Sequence, residues 1–300
     1  MFDIKIGTLI GASNAYEAIK VLNPKGFESY ELTFGENEVL NTDFEGLGKK
    51  IKEVKGDSVI GALGTYRNPI LSEKDRTEVI KLIENAHHLD CSVVCAFAGG
   101  DPSLKNIEDN IPLFKKVWEP IVKLAEEKGV KLGFENCAGF NNIACLPYMW
   151  ERMFDAIDSP NLGLEWEPAH ALGALRDPIP ELRTWAKKVV HLHGKDGTNC
   201  KDIIAKYGIN GLVPWHYDRT PGFGDTNWAD IFTILLYNGF KGSCDIEGYH
   251  DLVHFDDMEW TGQLVALEYL KRCRGGSEYF YGPEKERGYQ GNRRKKLGLE

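Results

Sequence analysis

Short apolar runs alternate with longer amphipathic segments along most of the chain, and this alternation limits the fold more than any other feature. The runs predict eight strands, which are Ile4–Ile10, Ser29–Phe34, Ser58–Leu63, Ser92–Phe97, Val130–Glu135, Leu162–Trp166, Val189–His193 and Ser243–Glu247. Residues Ile107–Glu127 carry apolar side chains three to four positions apart, which is typical of an amphipathic helix. The segment Asp257–Arg272 repeats this spacing, with Trp260 and Leu267 on its apolar stripe.

Regular strand–helix alternation predicts a parallel sheet, because parallel neighbours need a crossover that a helix supplies. Eight such units in a chain of 300 residues fit a single (β/α)8 TIM barrel of the α/β class better than an open sheet. An open doubly wound sheet is disfavoured, since Gly7–Ala12 does not match the glycine-rich phosphate fingerprint expected after the first strand. No linker divides the chain, so we expect residues 1–274 to form the barrel.

The C-terminal extension, residues 275–300, has no apolar periodicity. It contains Tyr279-Phe280-Tyr281 and the basic run Arg293-Arg294-Lys295-Lys296. We expect its aromatic side chains to pack on the barrel surface. The alternative is a contact arm for another subunit, either in a homo-oligomer or in a complex with a small second subunit.

Composition excludes several classes of protein. Hydrophobic residues make up 42% of the chain and charged residues 27%, which is typical of a folded globular domain. The net charge of −9 argues against binding to nucleic acid. The 7 cysteines are widely spaced, with no C-x-x-C pair, so neither a disulfide framework nor a zinc ribbon is expected. The absence of a signal-peptide pattern and of a long apolar run predicts a cytoplasmic protein that does not associate with membranes.

Ionisable residues cluster at the predicted carboxyl ends of strands five to eight. They are Glu135, Glu165, Glu167, His170, His191, His193 and Glu247. Barrel enzymes build their sites at this rim, and three carboxylates with one imidazole suit Mn²⁺, Co²⁺, Mg²⁺ or Zn²⁺. Strand alternation places His191 and His193 on one face, so either could be the ligand. A single carboxylate in such a place more often caps a helix, but four consecutive strands rarely carry this pattern by chance.

These residues make the chain resemble the xylose-isomerase-like sugar phosphate isomerase/epimerase family of TIM barrels, from strand one to about Cys273. Glu135 in Phe134-Glu135-Asn136 matches the family's strand-five metal ligand, and Glu247 matches its strand-eight glutamate. The segment His193-Gly194-Lys195-Asp196 matches the family's His-x-Lys-Asp pattern, which selects His193 over His191. The segment Glu167-Pro168-Ala169-His170 carries a pattern whose first residue is usually aspartate. The longer Glu167 side chain implies a shifted metal or a different denticity at this ligand, which would change the preferred metal.

The resemblance implies roles for ten side chains. One divalent ion, with Mn²⁺ favoured, would bind Glu135, Glu167, His193 and Glu247. Of these, Glu135 and Glu247 would also act as the acid/base pair. The substrate-binding residues His170 and Arg219 would hold sugar hydroxyls or the developing oxyanion. Four further residues would either line the substrate pocket or serve only barrel packing and capping, namely Glu31, Trp215, His216 and Asp251. In addition, Lys195 and Asp196 could pair with each other and orient their loop.

The first functional hypothesis is an isomerase or epimerase that removes a proton next to the carbonyl of a keto-sugar, through an enediolate stabilised by the metal. The alternative is a lyase, because this barrel also resembles the large subunit of C-glycoside deglycosidases, which cleave 3-oxo-glycosides with a small partner subunit. A third hypothesis is a sugar-binding barrel without turnover. The chain also resembles endonuclease IV, but Cys91–Gly100 contains no histidine and Asp218-Arg219-Thr220 lacks that enzyme's histidine, so DNA repair is disfavoured.

Overall fold

Eight parallel strands close into a barrel, which confirms the predicted fold class. The computed structural model describes residues 4–139, 141–248 and 250–275. The strands in these ranges are β1 (Lys5–Gly11), β2 (Ser29–Thr33), β3 (Val59–Thr65), β4 (Val93–Ala96), β5 (Lys131–Glu135), β6 (Leu162–Trp166), β7 (Val189–Gly194), β8 (Asp196–Asn199), β9 (His216–Arg219) and β10 (Ser243–Ile246). The barrel order is β1-β10-β7-β6-β5-β4-β3-β2, and β10 closes on β1 through the Lys5–Ser243 register.

The described ranges contain eleven α-helices, and those that bury an apolar face cover the outside of the barrel. They are α1 (Ala15–Leu22), α2 (Glu38–Asn41), α3 (Phe44–Val54), α4 (Glu73–Asn85), α5 (Ile111–Lys128), α6 (Pro147–Ala156), α7 (Pro168–Gly173), α8 (Pro178–Trp185), α9 (Lys201–Tyr207), α10 (Trp228–Tyr237) and α11 (Glu259–Arg274). Four tryptophans are fully buried in the core. The predicted helix over Ile107–Glu127 begins as a short 3-10 turn and continues as α5 to Lys128.

The helix α5 shows how the apolar pattern becomes packing. Its buried face carries Phe114, Trp118 and Ile121, and the Trp118 indole donates a hydrogen bond to the Ala98 carbonyl (2.9 Å). The helix ends at Gly129, whose φ of 66° is the left-handed conformation that glycine adopts readily. The tightly packed α5 therefore fixes the outer side of β4 and β5.

The inside of the barrel is unusually polar beneath its carboxyl end. Asp245 of β10 is fully buried there and accepts a hydrogen bond from Ser29 of β2. A Cβ atom at Gly7 would lie 2.2 Å from an Asp245 oxygen, and one at Gly61 would lie 2.6 Å from the other. These two glycines therefore make room for a carboxylate inside the barrel.

One element was absent from the predicted strands. The strands β8 and β9 form an antiparallel hairpin outside the barrel, with Asp196 opposite Arg219. The predicted pairing of Lys195 with Asp196 is wrong. Instead, Asp196 accepts hydrogen bonds from the backbone of Gly197 (2.8 Å) and Thr226 (3.1 Å) and from the Trp228 indole (2.9 Å).

The predicted helix over Asp257–Arg272 is α11, but Trp260 does not join its buried stripe. Trp260 is 47% exposed because the first turn of α11 overhangs the carboxyl-end rim, while Leu267 and Leu270 are buried. No helix of the described ranges is long and apolar enough to cross a membrane. Residues 276–300, for which the sequence predicts surface packing or a subunit contact, lie outside the described residues.

Candidate metal centre

Four ligand side chains converge at the carboxyl end of the barrel. Glu135 ends β5, Glu167 follows β6, His193 lies in β7 and Glu247 follows β10. One donor atom of each lies within 4.8 Å of all the others. His193 Nδ1 is 3.4 Å from Glu167 Oε2, 3.4 Å from Glu247 Oε2 and 3.8 Å from Glu135 Oε1. Ligand atoms about 3 to 4 Å apart are what one ion with bonds of about 2.1 Å requires.

The hydrogen bonding of these groups also fits a cation. His193 Nδ1 and both carboxylate oxygens of Glu167 are buried and have no hydrogen-bond partner. Burying such polar atoms without a donor or an ion costs about 1 to 3 kcal/mol each. The donor set of three carboxylates and one imidazole therefore fits a divalent ion of the Mn²⁺, Mg²⁺, Co²⁺ or Zn²⁺ type.

The opposite edge of the His193 ring is fixed by carboxylates. Its Nε2 donates to Glu31 Oε2 (2.9 Å) and also lies 3.0 Å from Glu165 Oε1. The hydroxyl of Tyr66 contacts Glu31 and lies 2.9 Å from Glu165 Oε2. A proton held on Nε2 leaves the lone pair on Nδ1, which is the arrangement that a ligating histidine needs.

His191 occupies the barrel interior below this cluster. Its two ring nitrogens lie 2.9 Å from Glu165 Oε1 and 2.9 Å from Asp245 Oδ2. Burial acts to lower the pKa of His191, but hydrogen bonds to Asp245 and Glu165 outweigh it and raise the pKa to about 10. Both nitrogens therefore donate to carboxylates, and His191 faces away from the four-residue cluster.

Side-chain amides position two of the ligand-bearing segments. Asn136 exchanges two hydrogen bonds with the backbone of Glu167, at 3.0 and 2.9 Å. Asn142 donates to the carbonyl of Glu135 (2.7 Å). With its backbone held in this way, the Glu167 carboxylate lies in the four-residue cluster. The glutamate that replaces the usual aspartate therefore still provides a ligand.

A cavity of about 800 Å³ opens above the cluster, and Glu135, His193 and Glu247 form part of its wall. Its apolar wall includes Leu9, Phe97 and Trp260. Its remaining polar wall includes Tyr66, Arg67, His170, Lys195, His216, Asp218 and His250. The cavity therefore combines a polar floor with an apolar side, as small-molecule sites commonly do.

The two proposed acid/base carboxylates have different surroundings. Burial raises the pKa of Glu135 to about 7, against the opposing effect of His170 and His193. Burial also acts on Glu247, but the Lys195 ammonium, 3.4 Å away, helps to hold its pKa well below the usual range. The neighbouring His193 ring and a hydrogen bond with His250 (3.0 Å) act in the same direction. Groups with such divergent pKa values suit different acid and base roles.

The structure brings two of the six predicted substrate-binding residues to the cavity wall. His170 Nε2 lies 3.2 Å from Glu135 Oε1, and His216 Nδ1 lies 2.7 Å from Asn199 Oδ1. Glu31 is fully buried behind His193, so it contacts the His193 ring and does not reach the cavity.

The other three are not part of this cavity's wall, although Arg219 and Asp251 line a smaller cavity beside Glu247. The Trp215 indole donates to the Ile209 carbonyl (3.0 Å). Arg219 Nε donates to the Phe223 carbonyl within its own loop (3.3 Å). Asp251 accepts from the Thr220 amide (2.7 Å) and therefore supports that loop.

Sequence reasoning missed several polar residues of the site. Tyr66 and Arg67 follow β3, a strand whose end carried no acidic or histidine signal. The sequence predicts a role for Lys195 in its loop but not its contact with Glu167 (3.4 Å). The buried contacts of His191 with Glu165 and Asp245 depend on the register between strands, which no local sequence pattern reveals. An aromatic–basic pair directly after a strand is the one signal that identifies Tyr66 and Arg67.

Known proteins resemble this chain over most of its length. A family model described as a xylose isomerase-like TIM barrel matches residues 22–273. The inosose dehydratase of Bacillus thuringiensis (strain Al Hakam) is 24% identical over 285 residues, covering 89% of this chain and 92% of that protein.

Solved structures share the fold. A D-psicose 3-epimerase superposes with a TM-score of 0.71 at 15% identity, covering 91% of this chain and 100% of that chain. The 3-keto-D-glucoside 4-epimerase from E. coli superposes with a TM-score of 0.68 at 14% identity, covering 90% of this chain and 100% of that chain.

Proposed function

Because the chain belongs to the xylose isomerase-like TIM barrel family, we propose that it is a divalent-metal-dependent isomerase or epimerase of a keto-sugar. The observation that carries this proposal is the convergence of Glu135, Glu167, His193 and Glu247 at the floor of the cavity. The buried Glu167 oxygens and His193 Nδ1, which have no hydrogen-bond partner, support the metal part of the proposal. The relative named inosose dehydratase and the similar structure named D-psicose 3-epimerase support the substrate class.

The four side chains would hold one divalent ion, of which Mn²⁺ is our first choice. When bound, the ion would supply a Lewis acid that polarises a sugar carbonyl and offsets negative charge on its oxygen. The carboxylate-rich donor set favours a hard ion over a thiophilic one.

Glu135 and Glu247 would move the proton. They project from β5 and β10, which are separated in the barrel by β6 and β7. Carboxylates on the two sides of a bound sugar can take a proton from one face and return one to the other. His170, which contacts Glu135, would hold a sugar hydroxyl, and Lys195 would keep Glu247 ionised.

A lyase is the second candidate, and the size of the cavity favours it. A volume of about 800 Å³ lies toward the upper end of clefts that hold drug-sized ligands, about 300–1,000 Å³. Such a cavity has room for a sugar with an attached group, which the apolar wall at Phe97 and Trp260 could contact. In a 3-oxo-glycoside, loss of the proton next to the ketone would permit elimination of the anomeric substituent. This candidate includes a small second subunit, which co-purification would identify.

Product analysis distinguishes the candidates. Mn²⁺-loaded protein is incubated with ketohexoses, inosose and 3-oxo-glucosides, and products are identified by NMR against an EDTA-treated control. A stereoisomer or positional isomer formed only with metal supports the isomerase or epimerase. Release of the anomeric group from a 3-oxo-glucoside supports the lyase. Tight sugar binding with no product in any reaction contradicts both and favours a binding protein.

A further inference from the structure

A second group of possible ligands lies on the cavity wall beside the four-residue cluster. Glu135, Cys137 and His170 each place one donor atom within 4.8 Å of the other two. All three residues line the cavity, so an ion from solution can reach them. We propose that these residues, the mouth cluster, form a second cation site that selects thiophilic ions such as Zn²⁺ and Cd²⁺.

The distances within the mouth cluster suit one small ion. His170 Nε2 is 3.2 Å from Glu135 Oε1, the separation of two ligand atoms on an ion with bonds of about 2.1 Å. Glu167 Oε1 lies 3.4 Å from the same nitrogen. Glu167 is fully buried, and neither of its carboxylate oxygens has a hydrogen-bond partner, although Lys195 Nζ lies 3.4 Å from Oε1. An unsatisfied carboxylate oxygen is therefore directed at the mouth cluster.

The backbone of the mouth cluster is held in place. The side-chain amide of Asn142 donates to the carbonyl of Glu135 (2.7 Å) and to that of Cys137 (2.9 Å). The amide of Gly139 donates to Cys137 Sγ (3.4 Å), which orients the sulfur. Since two of the three ligands are fixed by one amide, little ordering is needed when an ion binds.

Ligand chemistry separates the two sites. The four-residue cluster offers three carboxylates and one imidazole, which suit hard ions such as Mn²⁺ and Mg²⁺. The mouth cluster adds a sulfur to an imidazole and a carboxylate, and that combination favours Zn²⁺ and Cd²⁺. Three protein ligands also leave a coordination position for water.

Occupation of the mouth cluster would inhibit the enzyme, a consequence that rests on the proposed function. Glu135 belongs to both clusters, and His170 is a proposed substrate contact. An ion bound between them would remove both groups from the reaction and would lie in the path of the sugar. Zn²⁺ inhibition of the Mn²⁺-loaded protein should therefore depend on Cys137.

A spectroscopic titration tests the site without any substrate. Mn²⁺-loaded wild-type protein, Cys137→Ser and the control Cys200→Ser are titrated with Cd²⁺, and thiolate-to-metal charge-transfer absorption is recorded. Cys200 is also partly buried but lies at the start of α9, outside the mouth cluster. We expect a saturable band in wild type and Cys200→Ser and its loss in Cys137→Ser. The variant His170→Gln keeps the sulfur and should weaken Cd²⁺ binding by about 10-fold or more. An unchanged band in Cys137→Ser, or no band in wild type, overturns the site.

A Zn²⁺ inhibition assay tests the consequence separately. With the substrate identified for the wild type, the inhibition constant for Zn²⁺ should rise by about 10-fold or more in Cys137→Ser and stay unchanged in Cys200→Ser. Equal inhibition of all three proteins would place the inhibitory ion elsewhere and overturn the inhibition. Because the Cd²⁺ band needs no turnover, it still tests the mouth cluster if the proposed reaction fails.

Discussion

At the scale of single residues, the His193 ring connects two layers of carboxylates. Its Nδ1 faces Glu135, Glu167 and Glu247, while its Nε2 faces Glu31 at 2.9 Å. A carboxylate behind a ligating histidine fixes the orientation of the ring and makes the other ring nitrogen a stronger metal ligand. Glu31 is therefore a positioning residue for the metal in this account.

Replacing Glu31 tests that role. The variant Glu31→Gln keeps the shape of the side chain but removes its charge, and it should lower Mn²⁺ affinity by about 10- to 100-fold. Isothermal titration calorimetry measures the affinity. The control Glu45→Gln removes an exposed carboxylate paired with Lys49 and should leave it unchanged. Unchanged Mn²⁺ affinity in Glu31→Gln would show that Glu31 does not act through His193.

Glu247 carries the second residue-scale prediction. Removing its carboxylate charge should reduce kcat by about 100-fold or more, because proton transfer then lacks one of its two carboxylates. Thermal unfolding of Glu247→Gln should stay close to that of wild type, since glutamine keeps the shape of a side chain that lines the cavity and can still accept a hydrogen bond from Lys195. The exposed Glu53 provides the control variant Glu53→Gln. Full activity in Glu247→Gln would remove this residue from the reaction.

How much of the site the sequence predicts depends on where each interaction originates. The four ligand candidates follow from strand ends, because parallel strands bring their carboxyl ends to one rim. The interactions of His191 with Glu165 and Asp245 depend on register between separate strands, which leaves no local signature. From the residues alone His191 and His193 were equivalent, and only the resemblance distinguished them before the structure did.

At the scale of elements, the β8–β9 hairpin is the least predictable part of the fold. Each of its strands has four residues, and Asp196–Asn199 contains no alternating apolar residue. Its position depends instead on Asp196, a fully buried carboxylate that accepts hydrogen bonds from Thr226 and Trp228. By contrast, α5 was predictable because its apolar spacing is regular over most of its 18 residues.

The anchoring role of Asp196 leads to a stability prediction. In Asp196→Asn one carboxylate oxygen becomes an amide NH2 group, which then faces hydrogen-bond donors. The free energy of unfolding should therefore fall by about 1–3 kcal/mol. Urea denaturation of both proteins measures the difference. The control variant Asp225→Asn, in the same loop, removes an exposed carboxylate that accepts one hydrogen bond from the Asn199 amide. It should lower the free energy of unfolding by less than about 1 kcal/mol. Equal losses in the two variants would contradict the anchoring role.

At the scale of the whole molecule, α11 joins the end of the described chain to the first strand. Arg274 donates to the Ile4 carbonyl (2.8 Å) and pairs with Glu28. Glu28 also accepts from the Ile6 amide (2.9 Å). Burial acts to raise the pKa of Glu28, but the contacts with Arg274 and Ile6 outweigh it and lower the pKa.

This ion pair gives the stability a defined dependence on pH. A carboxyl whose pKa is lowered on folding contributes stability above its unfolded pKa, near 4.5, and loses it as the pH falls through the folded value. Glu28→Gln should therefore lower the free energy of unfolding by about 1–2 kcal/mol at pH 7. This difference in stability from wild type should shrink below about pH 4. Urea denaturation at several pH values measures it, with the exposed-pair variant Glu268→Gln as control. A difference that stays constant down to pH 3 would contradict the assignment to Glu28.

The barrel as a whole was predictable because its signal is repeated eight times. Strand–helix alternation gives the parallel sheet, and the number of units gives closure, which the Lys5–Ser243 register completes. The exposure of Trp260 was not predictable, since its spacing matches the buried stripe of α11 and only the overhang of the helix exposes it. The extension beyond Gly275 stays a prediction.

The most direct test of the central claim is the fate of the hydrogen next to the sugar carbonyl. Mn²⁺-loaded protein is given its keto-sugar in D₂O, and mass spectrometry with NMR locates deuterium in substrate and product, with EDTA-treated protein and Glu247→Gln as controls. The account predicts metal-dependent entry of solvent deuterium at the carbon next to the carbonyl, and little in Glu247→Gln. Product that forms at the full rate and carries only the original hydrogen would contradict proton abstraction, as would equal exchange after metal removal.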